Sequence, residues 1–237
     1  MTPLPPAVPR HRVRLVSNFS ELATTPFGDG VNALCWPRSL PGDFREIVHG
    51  LPADESGGIL TLDEARLLSL PVSPQGRIAI DVLLADLKLL REHDLDPVLN
   101  CIHGYPRDED PGPVATDVFS FHADSAPVPA DTWLCTYYGS SSEGLCSEDA
   151  IRRIDIPDTR AALLAQYGGP DDEGFAEFLH DHCYDLHYAA SPRAQPYSFG
   201  LFNLWRIAVD YPGSPVPPCV HRAPVTIPGE PRLLLIS

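Results

Sequence analysis

In the segment Phe119-Ser-Phe-His-Ala-Asp124 an imidazole and a carboxylate stand two positions apart, so on an extended strand His122 and Asp124 project from the same face. One imidazole, one carboxylate and a second, distant imidazole make a facial triad, a donor set that suits Fe(II) and leaves half of an octahedral shell open for dioxygen and a bidentate ligand. His221, in Cys219-Val-His-Arg-Ala-Pro224, is the candidate distal ligand. An H-x-D pair arises often by chance, and taken alone a solvated pair at a strand end is its commoner meaning. Its surroundings make it informative.

Other residues compete for chemical roles. The run His180-Asp-His-Cys-Tyr-Asp-Leu-His187 is a rival metal cluster: on a continuous helix Cys183 and His187 would lie one turn apart, with His180 about two turns from His187. Tyr184 and Leu186 favour instead a helix packed by one face with its histidines solvated. Thr136 and Tyr138 share one face of a strand, and Cys135 and Tyr137 the other, so only one pair can reach a ligand. Glu143 and Arg206 lie beside apolar strand sequence and would offer a carboxylate and a cation to a small zwitterion such as an amino acid. Arg222 reads as a structural ion-pair residue, and Tyr137, Phe202 and Trp205 as core aromatics.

The elements that must position these side chains are of two textures. Residues 1–12 are Pro-rich and read as a flexible arm. Residues 43–96 are helical: Asp43–Gly50, Thr61–Leu70 with a T-L-D-E capping pattern, and Arg77–His93, where Ile78, Val82, Leu83, Leu87 and Leu90 recur at helical spacing. From residue 97 to 237 the texture is β-rich, with strands expected over Val98–His103, Val114–His122, Thr132–Tyr138, Tyr197–Val209, Pro218–His221 and Arg232–Ile236. A helical insert, Asp158–Tyr167 and Glu173–Tyr188, interrupts them. Periodicity alone thus supports a single α+β domain over 1–237.

Composition narrows the function. The 237 residues are 43% hydrophobic and 21% charged, ordinary for a chain that folds on its own core. A net charge of -15 opposes a nucleic-acid partner, which needs clustered Lys and Arg to replace counterions. The six cysteines are scattered without a C-x-x-C pair, which fits reduced thiols in a cytoplasm. No stretch has the pattern of a signal peptide or the length of a membrane span, so a soluble cytoplasmic protein is expected.

Beyond the triad, Arg232 follows His221 by 11 positions. That order resembles the 2-oxoglutarate and Fe(II)-dependent oxygenase superfamily, where H-x-D is followed at long range by His and then by a basic residue about ten positions on. The sequence is more closely similar to a largely uncharacterised bacterial family with F-H-x-D, T-Y-x-G-x-x-x-E, H-R-x-P and a closing G-E-x-R-L-L-L. Here these read F-H-A-D at 121–124, T-Y-Y-G-S-S-S-E at 136–143, H-R-A-P at 221–224 and G-E-P-R-L-L-L at 229–235. The match runs from about Ala33 onward. It departs where Thr132 stands in place of the family's arginine, and where Gly139 to Ser142 replace G-P-G-T, positions that bear on the substrate more than on the metal.

The resemblance implies a distorted double-stranded β-helix, a jelly-roll or cupin-like core with flanking helices. It implies Fe(II) on His122, Asp124 and His221, and 2-oxoglutarate as cosubstrate with its far carboxylate on Arg232, whose fork matches that geometry. It also implies consumption of dioxygen and oxidation of a C–H bond of a small molecule, by hydroxylation, desaturation or ring closure. Thr136, Tyr138, Glu143 and Arg206 are the candidate substrate contacts. Two alternatives remain: an Fe(II) oxygenase without 2-oxoglutarate, in which Arg232 grips the substrate's own carboxylate, and a non-enzymatic metal or small-molecule binding protein of the same fold.

Overall fold

Side-chain caps decide where the helices begin. In the computed structural model, which describes residues 8–51, 58–107, 109–110, 112–225, 227 and 229–237, Asn18, Asp43, Asp63 and Ser73 each accept a backbone N–H from the first turn that follows. These caps open α1 (Phe19–Thr24), α2 (Phe44–Gly50), α3 (Glu64–Ser69) and α4 (Pro74–Arg91). The expected start at Thr61 is corrected. Thr61 and Leu62 close a strand, β3 (Ile59–Leu62), because the Thr61 hydroxyl bonds Asn100 Oδ1 on a neighbouring strand at 2.8 Å and Asp63 takes the cap, accepting from Arg66 N at 2.7 Å. Helix α4 buries Ala79, Ile80, Leu83, Leu87 and Leu90, so Ile80 rather than Ile78 lies on its inner stripe.

Two sheets carry the rest. The larger has seven strands in the order β1 (Val13–Leu15), β2 (Ala33–Trp36), β11 (Leu204–Ala208), β6 (Asp131–Tyr138), β13 (Arg232–Ile236), β4 (Val98–Ile102), β3. The smaller has six, in the order β10 (Tyr197–Ser198), β7 (Glu143–Leu145), β12 (Val220–Arg222), β5 (Phe121–His122), β9 (His187–Ala190), β8 (Ala150–Arg152). From β4 to β7 and again from β10 to β13 the chain steps alternately between the two sheets. Leu134, Phe199, Trp205, Ile207, Cys219 and Leu234 form one core, while Leu34, Ile47, Leu83, Leu87, Trp133, Tyr137 and Leu235 join the helices to the larger sheet in another. Along β6 and β13 alternate residues therefore belong to different layers.

Turn chemistry accounts for the differences from the sequence reading. Of Val114–His122 only Phe121 and His122 are strand, because Asp117 Oδ1 accepts from Phe119 N and Ser120 N and holds the preceding residues in a turn. The expected helix 158–167 forms as α5 (Pro157–Tyr167), but that over 173–188 is shorter: α6 (Glu173–Asp181) ends, Cys183 takes a left-handed φ of 57°, a 3-10 turn spans Tyr184–Leu186, and His187 begins β9. The run 197–209 divides between the sheets, with Gly200 and Phe202 both at positive φ and Asn203 Nδ2 donating to Phe199 O at 2.8 Å. The expectation of a flexible arm falls partly on residues 1–7, outside the described residues. Within it, Arg12 is anchored, with Nε on Glu148 at 2.8 Å and Nη1 on Gly30 O at 3.1 Å.

One buried network ties α4 to the larger sheet. Asp86 receives Arg38 Nη1 at 2.7 Å and the Tyr137 hydroxyl at 2.5 Å, and Arg38 Nε donates to Phe202 O at 2.9 Å. Removing one partner of a buried ion pair strands the other charge. Asp86→Ala is therefore expected to lower unfolding stability by about 3–5 kcal/mol in urea denaturation, and a loss under about 1 kcal/mol would show that the network contributes little.

Candidate metal centre

Strand pairing brings the two histidines together. In the antiparallel ladder of β5 and β12, His122 stands directly opposite His221, so both imidazoles leave the sheet on the same side, their ring centroids 4.6 Å apart. Asp124 lies just beyond β5, where its carbonyl accepts Asp210 N at 2.7 Å and fixes the backbone. Its carboxylate is 3.9 Å from His122 Nε2 and 3.8 Å from His221 Nε2. One ligand atom from each of the three residues lies within 4.8 Å of the others, close enough to share one ion.

The supporting contacts choose which atoms face that ion. His122 Nδ1 is 2.8 Å from Ser120 O and His221 Nδ1 is 3.2 Å from Cys219 O. A carbonyl can only accept, so each Nδ1 carries the proton and each Nε2 keeps its lone pair for a metal. The Thr132 hydroxyl, from β6 on the other sheet, donates to Asp124 Oδ2 at 2.5 Å and orients the carboxylate. Burial and the neighbouring His221 push His122 down to about 4, so the ring is neutral at physiological pH. Burial works to raise Asp124, but His221, the Thr132 hydroxyl and His122 outweigh it and hold the acid below its usual range.

Gly144 leaves room beside His221 on the ligand face of the smaller sheet. It pairs with His221 across β7 and β12, and a Cβ there would come within 2.3 Å of the Tyr197 ring. Tyr197 is buried with its hydroxyl 3.8 Å from Cys219 Sγ, so it has nowhere to retreat.

The triad opens onto a cavity of about 190 Å³ between the sheets, whose walls include Ile59, Asn100, Val118, Leu134, Ala223 and Ile236. Arg232 is part of this lining and is only 5% exposed. Its Nη2 donates to Thr136 Oγ1 at 2.9 Å and Ser142 Oγ at 2.8 Å, and its Nη1 to the Tyr105 hydroxyl at 3.1 Å. Its Nε has no partner, and among the described residues no carboxylate pairs with it. Burial lowers its pKa, against the pull of Tyr105.

The remaining sequence candidates divide. Thr136 reaches the cavity side through Arg232, but Tyr138 does not share its face. A register shift between Leu233 and Leu234 adds a residue to β6, so Thr136 pairs with Leu234 while Tyr138 pairs with Leu233 and packs on the helical layer beside His49. Glu143 holds Arg222 at 2.7 Å. Arg206 binds Asp131 at 2.6 Å and the carbonyls of Leu22, Ala23 and Thr25 at the end of α1. Neither lines the cavity, so they offer no zwitterion clamp there. The 180–187 cluster is dispersed by the left-handed Cys183, with His180 on Asp185 at 3.1 Å and His187 inside the smaller sheet opposite His122.

Tyr105, Thr132 and Ser142 are site residues that the sequence reading did not assign. The alternation of Thr132, Leu134 and Thr136 on one strand face could have pointed to Thr132. Tyr105 sits in an irregular loop and has no such pattern. Comparison of the chain with protein-family models, with curated proteins and with solved structures found no match, so the functional reading rests on this geometry.

The shifted histidine carries a pH signature in metal-free protein. Its folded pKa is depressed, so the unfolded state takes up the proton first, and stability falls as pH drops from about 6.5 toward about 4. Asp124 is also depressed, and its contribution is kept throughout that window and lost only below it. Wild type is expected to lose about 3 kcal/mol over that range, scaled from the shift, and His122→Asn distinctly less. Equal pH slopes in urea midpoints of the two proteins, measured with chelator, would remove His122 as the cause.

Proposed function

We propose that the chain is a mononuclear Fe(II) and 2-oxoglutarate-dependent oxygenase that oxidises an aliphatic C–H bond of a small molecule with dioxygen. The observation that carries the reading is the pairing, in one cavity, of the His122, Asp124 and His221 donor set with a buried arginine that no carboxylate among the described residues pairs with. A buried cation held only by hydroxyls is costly, and an anionic ligand beside it would relieve that cost. The strand path, alternating between two sheets with the triad on the smaller one, supports a distorted double-stranded β-helix as the architecture.

The donor set fits Fe(II): two imidazoles from paired strands and one carboxylate just beyond β5, with the cavity on their open side. Bound iron would supply redox chemistry with dioxygen at its free positions. The chain's own residues do the remaining work. Backbone carbonyls of Ser120 and Cys219 orient the imidazoles, and the Thr132 hydroxyl orients Asp124. Arg232, with Thr136, Ser142 and Tyr105 around it, would hold the far carboxylate of 2-oxoglutarate. Ile59, Val118, Leu134, Ala223 and Ile236 line the cavity with hydrocarbon and favour an aliphatic substrate. Asn100, whose Oδ1 already takes the Thr61 hydroxyl, keeps its amide N–H groups for a polar group on that substrate.

Anaerobic titration with Fe(II) and 2-oxoglutarate tests this through a weak visible charge-transfer band. The band is expected only with both components and not in His122→Ala. Arg232→Gln should weaken 2-oxoglutarate by about 2–5 kcal/mol, roughly thirtyfold or more in Kd, while leaving Fe(II) binding intact. Iron binding without the band would favour an oxygenase in which Arg232 holds the substrate's own carboxylate, a reading that also predicts no succinate. No iron binding at all would refute the proposal.

A further inference from the structure

A second set of ligand-type side chains gathers just after β7, away from the cavity. Cys146 precedes a 3-10 turn, Ser147–Asp149, that contains Glu148, and His11 reaches it from the N-terminal segment. His11 Nε2 touches Glu148 Oε1, and the Cys146 sulfur lies within 4.8 Å of both ligand atoms. A thiol, an imidazole and a carboxylate are the three donor types that zinc takes, with a fourth tetrahedral position left for water.

Each of the three is held in place by something other than a metal. The turn is closed by Asp149 N on Cys146 O at 2.9 Å, and Asn32 Nδ2 reaches Ser147 Oγ at 3.2 Å. Arg12 Nε occupies Glu148 Oε2 at 2.8 Å, which orients the carboxylate and leaves Oε1 on the His11 side. The segment bearing His11 is itself a turn, with Arg12 N and Val13 N both on Pro9 O at 2.9 and 2.8 Å. Cys146, though largely buried, also lines an open groove of about 760 Å³ with Val8, Asp149 and Arg193.

In the metal-free cluster Cys146 is held as the thiol. Burial, and then Glu148 and Asp149, raise the Cys146 thiol, so a bare thiolate is disfavoured there. A divalent cation reverses that balance, since it neutralises the carboxylates and takes the thiolate as a ligand.

We propose that His11, Cys146 and Glu148 form a zinc site, separate from the His122 centre, that pins the N-terminal segment to the corner following β7. Binding releases the Cys146 proton to solvent and replaces the His11–Glu148 contact with one bond from each residue to the ion.

Co(II) is the probe, because a thiolate ligand gives it a near-ultraviolet charge-transfer band that the His122, Asp124 and His221 donors cannot produce. Full-length protein, reduced and freed of metal, is titrated with Co(II). The band is expected in wild type and in His122→Ala, absent in Cys146→Ser, and much weaker in His11→Ala, whose exposed position makes misfolding an unsuitable explanation. Adding Zn(II) should bleach the band and raise Tm in wild type but not in Cys146→Ser. Absence of the band in wild type would overturn the proposal. So would a band that survives Cys146→Ser and disappears in Cys183→Ser, since Cys183 is the exposed free thiol.

Discussion

The site depends on one strand register. Because β5 and β12 pair antiparallel with His122 opposite His221, two residues 99 positions apart in the chain become near neighbours on one face. A slip of one residue in either strand would turn one imidazole to the far side of the sheet. The register is held from both flanks: β9 pairs with β5 on one side and β7 with β12 on the other. The outer face adds Phe121, Leu145 and Val220 as a small apolar cluster, so the same strands that aim the ligands inward bury hydrocarbon outward.

Three arginines show how differently this fold treats a buried or half-buried cation. Arg38 faces Asp86 inside the helix layer, and Arg206 faces Asp131 while capping the carbonyls at the end of α1. Among the described residues, Arg232 is hydrogen-bonded only to hydroxyls. Hydroxyls orient a guanidinium without neutralising it, so the first two are complete as built and the third is complementary to an anion. The contrast sets Arg232 apart more sharply than its burial alone.

Much of this was legible in the sequence, and the limits have physical causes. His122, His221 and Arg232 stand on short strands and Asp124 just beyond one, and the structure brings all four to one cavity. Tyr138 was not separable from Thr136 by the two-residue strand period, because a bulge set by pairing with β13 interrupts it and no local residue announces the bulge. Glu143 and Arg206 looked like free charges because their partners, Arg222 and Asp131, are distant in sequence. Strands of three or four residues such as β1, β2 and β7 lack enough alternation to be seen. Helix α3 was misplaced by two residues since Thr61 and Asp63 are both good caps, and only the neighbouring strand decides between them.

Gly144 has a consequence for how such a protein can change. Beside His221, position 144 accepts no side chain while Tyr197 fills the space, so the metal seat on the smaller sheet is closed to gradual variation at that position. Ile59, Asn100 and Ile236 belong to the facing sheet, on β3, β4 and β13, apart from the β10, β7 and β12 ladder that carries that lock. Selection for a new substrate can therefore act on one wall of the cavity while the opposite wall is inherited unaltered, which separates the evolution of specificity from the maintenance of metal binding.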